Sequence, residues 1–178
     1  MAAAFKILSE SCYWGEYILI FLCLGTQEFQ FDRLLKKVDE LVEKKVIQDE
    51  VFAQIGFSAY KPSRFCCKKF LNFDEFETAL ENCTFVITHG GTGTIIKALR
   101  KGKRVIAVPR LKKYGEHVDD HQKEIISTFS EKNLIYGLDD INQLEGAVSQ
   151  ICDFTPESFV SGNSKIVSIL DNFIRSCG

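Results

Sequence analysis

Short apolar segments alternate with amphipathic segments along most of the chain. Residues 17–24 are apolar throughout, without the polar alternation of a strand that has one face in solvent. Such a run predicts a central strand that is covered on both faces. Two further, largely apolar runs at residues 85–88 and 105–108 predict two more core strands. Strands that alternate with helices are typical of a mostly parallel sheet with flanking helices, so the pattern predicts an α/β, Rossmann-like fold.

The helices are predicted from the spacing of apolar side chains. Between residues 31 and 42 these recur at i, i+3, i+4 and i+7, opposite a charged face, as in an amphipathic helix packed on a sheet. Asn72 and Glu75 have the spacing of a capping box, and Asp140 can cap a further helix. The remaining expected elements are strands at residues 51–57, 65–70 and 134–136 and helices at residues 94–100, 118–132 and 166–174.

The composition indicates a single globular domain. The 178 residues are 46% hydrophobic, which allows a full-sized core without disulfides or metal. A net charge of −2 argues against a nucleic-acid binder, because neutralising phosphates needs an excess of basic residues. The seven cysteines lack zinc-site spacing and predict reduced thiols in a cytoplasmic protein. Residues 17–24 are too few to span a membrane, which takes roughly 20 residues. Residues 1–16 lack the charged segment followed by an apolar segment that is typical of a secretory signal.

A glycine-rich segment, His89-Gly90-Gly91-Thr92-Gly93-Thr94, lies between a predicted core strand and a predicted helix. Glycines let the backbone approach a ligand closely, and the positive end of a helix favours an anion. Two interpretations remain open: a loop that binds a diphosphate, and a tight turn that uses glycine for a positive φ. Two common nucleotide motifs fail, because Arg104 follows Gly102-Lys103 and Ile96 stands where a dinucleotide fingerprint needs glycine. The sequence therefore does not favour an NAD or ATP site.

A second polar segment, residues 114–122, follows the strand predicted at residues 105–108. The loops after parallel strands open at one edge of the sheet, so this segment and the loops after Leu24 and Thr88 are expected to form one site. Its polar residues either contact a ligand or form a solvated helix start: Glu116, His117, Asp120, His121 and Gln122. His117 and His121, four residues apart, would share one face of a helix, but no third metal ligand is evident, so no metal site is predicted.

Two other segments can be interpreted either as interaction surfaces or as ordinary structural elements. The basic residues between Lys97 and Lys113 form either a solvated face or a surface that attracts an anionic nucleotide or an anionic membrane. The apolar stripe of the helix at residues 166–174 is either core or a docking face for a partner.

Taken together, four motifs resemble the donor-binding, catalytic subunit of the two-part GT-B glycosyltransferases that assemble exopolysaccharide or capsule in bacteria. The motifs are Leu24-Gly25-Thr26-Gln27, Thr88-His-Gly-Gly-Thr-Gly-Thr94, Val108-Pro109-Arg110 and Glu116-His-Val-Asp-Asp-His-Gln122. Related proteins are the eukaryotic N-acetylglucosaminyltransferase subunit of dolichol-linked glycan assembly and the single-chain peptidoglycan N-acetylglucosaminyltransferase. The resemblance runs from about residue 18 to the C-terminus.

The resemblance implies a domain equivalent to the C-terminal half of a GT-B enzyme, which binds a UDP-sugar and needs no metal or other cofactor. The helix at the glycine-rich segment would face the diphosphate and stabilise the leaving UDP. The residues expected to bind the UDP-sugar are Gly25, Thr26, His89, Gly90, Gly91, Thr92, Gly93, Thr94, Glu116, Asp120, His121 and Gln122. No residue of this chain is assigned as the catalytic base. Lys97 stands where the superfamily commonly has a glutamate that accepts hydrogen bonds from ribose, and lysine can only donate.

The resemblance also implies a division of labour. A membrane-associated partner subunit would supply the acceptor half and a lipid-diphosphate-linked saccharide, and transfer would invert the sugar. The chain would then lie in the cytoplasm, peripherally at the inner face of the membrane. Residues 1–17 are expected to be an extension, residues 18–152 the nucleotide-sugar-binding domain, and residues 153–178 a loop and helix available for docking. The alternative is a non-catalytic nucleotide-sugar-binding or scaffolding partner.

Overall fold

A computed structural model of the chain describes residues 19–159. Within these residues, six strands form one open sheet in which every neighbouring pair is parallel. The strands are β1 (Leu19–Cys23), β2 (Glu50–Gln54), β3 (Cys66–Lys68), β4 (Cys83–His89), β5 (Arg104–Val108) and β6 (Tyr136–Gly137). Their order is β3-β2-β1-β4-β5-β6, so the direction of winding reverses between β1 and β4. This doubly wound arrangement confirms the predicted Rossmann-like α/β fold.

Helices cover both faces of the sheet. The α-helices in the described range are α1 (Asp32–Glu43), α2 (Phe73–Asn82), α3 (Thr92–Arg100), α4 (His121–Glu131) and α5 (Leu144–Gln150), with short 3₁₀ turns at Lys112–Tyr114 and Ile141–Gln143. The capping box that begins α2 is confirmed, because Asn72 Oδ1 accepts the Glu75 N–H at 2.9 Å and Glu75 Oε2 accepts the Asn72 N–H at 3.0 Å. Asp140 also caps as predicted, although the turn that it begins is 3₁₀ before it becomes α5.

The core consists of two apolar layers, one on each side of the sheet. Successive residues of a strand point to opposite faces. Ile20 and Leu22 of β1 therefore pack in the layer that contains α1 and α5. Phe21 and Cys23 pack in the layer that contains α2, α3 and α4. Every residue of β1 is buried, which explains the absence of polar alternation in this strand.

The segment before α4 departs from the sequence prediction, because the helix expected from residue 118 begins only at His121. Asp119 Oδ1 accepts the His121 backbone N–H at 3.2 Å, and Asp120 Oδ1 accepts the Lys112 N–H at 2.7 Å. Aspartate side chains that bond nearby backbone groups favour a turn over a helix. His117 lies in this turn, so the condition under which His117 and His121 would share a helix face is not met.

Three strands are shorter or shifted relative to the prediction. β2 ends at Gln54, because Gly56 with a φ of +58° turns the chain. β3 spans only Cys66–Lys68. β6 lies at Tyr136–Gly137, and Leu134 and Ile135 before it are buried with the α4 residues in the core.

The chain beyond α5 packs on the domain as far as the structure describes it. Arg104 Nε donates to the Phe154 carbonyl at 2.8 Å, and the Glu157 N–H donates to the Asn133 carbonyl at 2.9 Å. The helix expected at residues 166–174 and residues 1–18 lie outside the described residues, so their proposed roles stay predictions. Among residues 19–159 no helix is both long and apolar enough to cross a membrane.

Candidate functional site

The candidate site lies at the carboxyl ends of β1, β4 and β5. The loops after β1 and β4 flank the point where the winding of the sheet reverses, and ligands of open α/β sheets bind at such a point. Gln122 and Arg110 connect these loops through hydrogen bonds. The structure thus brings together the three loops that the sequence placed at one edge.

The His89 ring fills the space between two glycines. A Cβ atom at Gly25 would lie 2.6 Å from His89 Cε1, and one at Gly91 would lie 2.2 Å from His89 Nε2. Gly25 also has a φ of +75°, which favours glycine, but Gly91 has a φ of −76°. Gly91 is therefore required by the close approach of the imidazole. The alternative of a turn that needs positive φ does not apply to Gly90, Gly91 or Gly93.

His89 is uncharged at physiological pH. It is 6% exposed, and burial, followed by the positive charge of Arg110, lowers its pKa from 6.5 to about 3. The Thr88 hydroxyl, which donates to the Cys23 carbonyl at 2.7 Å, lies 3.4 Å from His89 Nδ1. The ring therefore acts as a buried spacer that shapes both loops.

The N-terminus of α3 is open at this edge. Gly91 is its N-cap and provides no side-chain hydrogen bond to the first turn, which also contains no acidic residue. Thr92 and Thr94 are partly exposed, and Gly93 is exposed with no heavy atom within 4 Å of where its Cβ would be. The first N–H groups of a helix point along its axis and carry partial positive charge. This end of α3 therefore offers donors to an anion.

Gln122 joins the loops after β4 and β5. It is 2% exposed, and its Oε1 accepts the N–H groups of Gly90 and Arg110, both at 3.1 Å. Gly90 packs directly on it, because a Cβ there would lie 2.7 Å from Gln122 Cβ. Gln122, which was expected to contact the donor, thus uses its amide oxygen to hold the backbone of the site.

Arg110 lies at this site but is not among the site residues predicted from the sequence. Its side chain is fully buried, and Nη2 donates to the carbonyls of Leu24 at 2.7 Å and Phe29 at 3.0 Å. Its Nε and Nη1 have no hydrogen-bond partner among the described residues. Burial lowers its pKa to about 10, so the guanidinium stays charged. The available signal was its place in the motif Val108-Pro109-Arg110 at the end of a core strand, although no binding role was assigned to it.

Glu116 has a supporting position. It is 1% exposed, and its two carboxylate oxygens accept hydrogen bonds from Arg33 Nε and Nη2, each at 2.9 Å. Oε2 also accepts the Leu111 N–H at 3.0 Å. Glu116 therefore fixes α1 to the loop after β5. It also borders an open cleft of about 510 Å³ along α1, which is lined by no residue of the glycine-rich segment.

Three side chains around the start of α4 offer metal-ligating atoms. His117 Nδ1 lies 3.2 Å from Asp119 Oδ1, and His121 Nδ1 contacts the same oxygen. Burial, followed by the neighbouring His121, lowers the pKa of His117. Asp119, the third residue of this group, was overlooked because this segment was predicted to be helical. Asp120 and the exposed Thr26 lie on the surface of the loops.

Lys97 lies on the exposed side of α3 toward α2. Its Nζ is 4.8 Å from the centre of the Phe76 ring and 5.8 Å from that of Phe73. These are cation–π distances, so the aromatic side chains of α2 account for the position of the lysine.

Sequence comparison assigns this domain to a family. Residues 19–161 match the glycosyltransferase family 28 C-terminal domain. The chain belongs to this family. The match spans every loop of the candidate site, from Gly25 to Gln122. A search of the curated proteins found no match.

Solved structures share the fold of this family 28 domain. The NMR structure of ALG13 has a TM-score of 0.55 at 17% identity, over 86% of this chain and 94% of that chain. The kitacinnamycin glycotransferase has a TM-score of 0.55 at 15% identity, over 85% of this chain and 38% of that chain. MurG from Acinetobacter baumannii has a TM-score of 0.51 at 14% identity, over 79% and 42%.

These likenesses identify the architecture. At such identities they show the fold alone, which is that of the C-terminal, Rossmann-like domain of GT-B glycosyltransferases. The chain spans less than half the length of MurG and of the kitacinnamycin enzyme. The family 28 domain is therefore one half of a GT-B architecture.

Proposed function

We propose that this domain binds the UDP-sugar donor of a two-part glycosyltransferase and forms the catalytic half of its active site. The observation that carries the proposal is the open N-terminus of α3 at the reversal point of the sheet, in a family 28 glycosyltransferase domain. Gly25, Thr26 and the segment from Gly90 to Thr94 would line the donor site. Asp120 and His121 would lie at its rim.

The proposed mechanism is charge stabilisation of the leaving group. As the bond between the sugar and UDP breaks, negative charge develops on the diphosphate. The N–H groups at the start of α3 would donate to it without reorganising, which is how preorganised dipoles lower a barrier. The buried Arg110 adds a fixed positive charge behind the loop after β1. An acceptor hydroxyl that attacks from the opposite face of the sugar would give inversion.

The acceptor half would come from a membrane-associated partner subunit. One Rossmann-like domain provides one wall of a GT-B cleft, and the enzymes MurG and the kitacinnamycin glycotransferase have chains more than twice as long as the part matched here. The motif resemblance points to a polyprenyl-diphosphate-linked saccharide of exopolysaccharide or capsule synthesis as acceptor. Such an acceptor places the complex at the inner face of the cytoplasmic membrane, with the catalytic base in the other half.

The test is a ligand-dependent shift in thermal unfolding of the full chain. UDP at a hundredfold its dissociation constant is expected to stabilise the chain by about 2.7 kcal/mol. NAD and ATP are the control ligands and should give smaller shifts. A shift with NAD or ATP but none with UDP would overturn the proposal.

A charged substitution separates binding from folding. Gly93→Glu places a carboxylate in open space at the start of α3, where it suits the helix dipole but repels a diphosphate. Gly146→Glu is the matched control, because Gly146 also lies in open space in the first turn of a helix, α5. The UDP shift should vanish in Gly93→Glu and persist in Gly146→Glu. An unchanged shift in Gly93→Glu would exclude this end of α3 as the diphosphate site.

A further inference from the structure

The turn between β5 and α4 brings together two imidazoles and one carboxylate. His117, Asp119 and His121 each offer one ligand atom, and these atoms lie within 4.8 Å of one another. Among residues 19–159 they form the single cluster of three such groups. His117 and His121 both direct Nδ1 at the same oxygen, Asp119 Oδ1.

One pair of these atoms has the spacing found in the coordination shell of a small metal ion, and the atoms that lie up to 4.8 Å apart would have to move closer to share it. Two ligand atoms about 2.0–2.1 Å from Zn²⁺ at the tetrahedral angle lie about 3.4 Å apart. His117 Nδ1 and Asp119 Oδ1 are 3.2 Å apart, so an ion can enter with little movement of this pair. Two imidazoles and a carboxylate are ligands typical of zinc and neighbouring transition metals, whereas Mg²⁺ and Ca²⁺ prefer oxygen alone.

The surrounding structure holds the ligands in place before an ion arrives. His117 is 8% exposed and packs against Phe29, with ring centres 4.7 Å apart. The His121 ring meets the His117 ring edge-on at 4.5 Å. The His121 backbone N–H also donates to Asp119 Oδ1, which fixes the carboxylate at the start of α4. Ligands positioned in this way lose little conformational entropy on binding.

We propose that His117, Asp119 and His121 bind a divalent transition-metal ion, with Zn²⁺ the best fit. Each imidazole would coordinate through Nδ1 with its proton on Nε2. Asp119 and His121 are partly exposed, so the fourth position would face solvent, as in zinc sites with three protein ligands. The bound ion would clamp the turn that precedes Gln122, which in turn holds the loops after β4 and β5.

The proposal does not depend on the proposed donor, and its test uses metal alone. The full chain is titrated with Zn²⁺ against a chromogenic chelator, and with Co²⁺ followed by absorption spectroscopy. We expect one ion per chain and a Co²⁺ spectrum without a thiolate charge-transfer band. The spectrum matters because the described part of the chain also contains exposed cysteines, Cys66 and Cys152, and thiolates are strong zinc ligands.

Three variants test the assignment of the ligands. Asp119→Asn and His121→Asn alter partly exposed side chains and should weaken binding at least tenfold, since loss of an outer-shell partner already costs about 10- to 100-fold. Glu124→Gln removes a charge from the same helix and is the control, because the Glu124 side chain is not a member of the cluster. It should bind as the unaltered chain does.

Each outcome either supports or overturns the proposed metal site. Weakened Zn²⁺ binding in both cluster variants, with a normal control, supports the site. Absence of stoichiometric Zn²⁺ binding by the unaltered chain, equal affinity in Asp119→Asn, or a thiolate band in the Co²⁺ spectrum each overturns it. A UDP shift together with no Zn²⁺ binding by the unaltered chain would leave the donor site standing while the metal site fails.

Discussion

Gly91 and Gly93, two residues apart, are expected to respond to the same substitution with opposite signs. A Cβ at Gly91 would lie 2.2 Å from His89 Nε2, whereas nonbonded heavy atoms pack at about 3.5–4.0 Å. The ring has no room to move toward the loop after β1, because it already packs closely against Gly25, where a Cβ would lie only 2.6 Å from it. Gly91→Ala should therefore destabilise the domain by about 1–3 kcal/mol, the usual range for overpacking.

Gly93→Ala meets no such obstacle. No heavy atom lies within 4 Å of the Cβ position, and the residue is in the first turn of α3. Replacing glycine with alanine within a helix raises the free energy of unfolding by roughly 0.5–1 kcal/mol, because the unfolded chain then has less conformational entropy to lose. The free energies of unfolding of the two variants should thus differ by about 1.5–4 kcal/mol.

Urea denaturation followed by circular dichroism measures both changes. A His89→Ala background provides the internal check, because Gly91→Ala should cost little once the imidazole is absent. The coupling free energy between the two positions should then be about 1–3 kcal/mol. Destabilisation by Gly93→Ala, or an undiminished cost of Gly91→Ala without the imidazole, would refute the role assigned to His89.

Two further predictions concern buried ionisable side chains. Glu116→Gln should lower the free energy of unfolding by about 1–3 kcal/mol in urea titrations, because it breaks a two-point pair with Arg33 that retains some solvent contact. Glu40→Gln, in an exposed pair with Lys44, should change little, and equal effects would contradict the argument. The second prediction concerns pH. Because the folded-state pKa of His89 is lowered to about 3, the unfolded chain binds the extra proton between pH 6.5 and that value. Stability should fall as pH drops through this window and be flat above it with respect to this group, and His89→Gln should reduce the slope. An unaltered slope would show that His89 does not dominate the acid dependence.

Several motif residues contribute to the site by holding its backbone. Gln122 bridges Gly90 and Arg110, and Glu116 anchors Arg33. Arg110 in turn binds the carbonyl of Leu24 at the end of β1. These contacts connect the loops after β1, β4 and β5 to one another and to α1. A substitution at any of them is expected to affect ligand binding through loop geometry as well as through direct contact.

The local pattern was sufficient for the main elements of the fold. The unbroken apolar run that includes β1 predicted burial on both faces, and the i, i+3, i+4 spacing predicted α1 within one or two residues. The capping box of Asn72 with Glu75 and the cap at Asp140 were also readable, since each involves residues close together along the chain. Element ends were less accurate at Gly56 and Asp119, where a backbone φ and a side-chain bond to the backbone decide the outcome.

The sequence by itself thus determined the class of fold, the position of the glycine-rich segment between a core strand and a helix, and the family motifs. Only the tertiary structure decided that the His89 ring packs on Gly25 and Gly91 and that Arg110 is fully buried. It also decided that Asp119 joins the two histidines. For the buried Arg110 the physical reason is distance along the chain, since Arg110 and Leu24 are 86 residues apart, and the same holds for Arg33 and Glu116, which are 83 apart. Hydrophobic periodicity records which face of an element is buried, but the partner that buries it is chosen by the packing of the whole sheet.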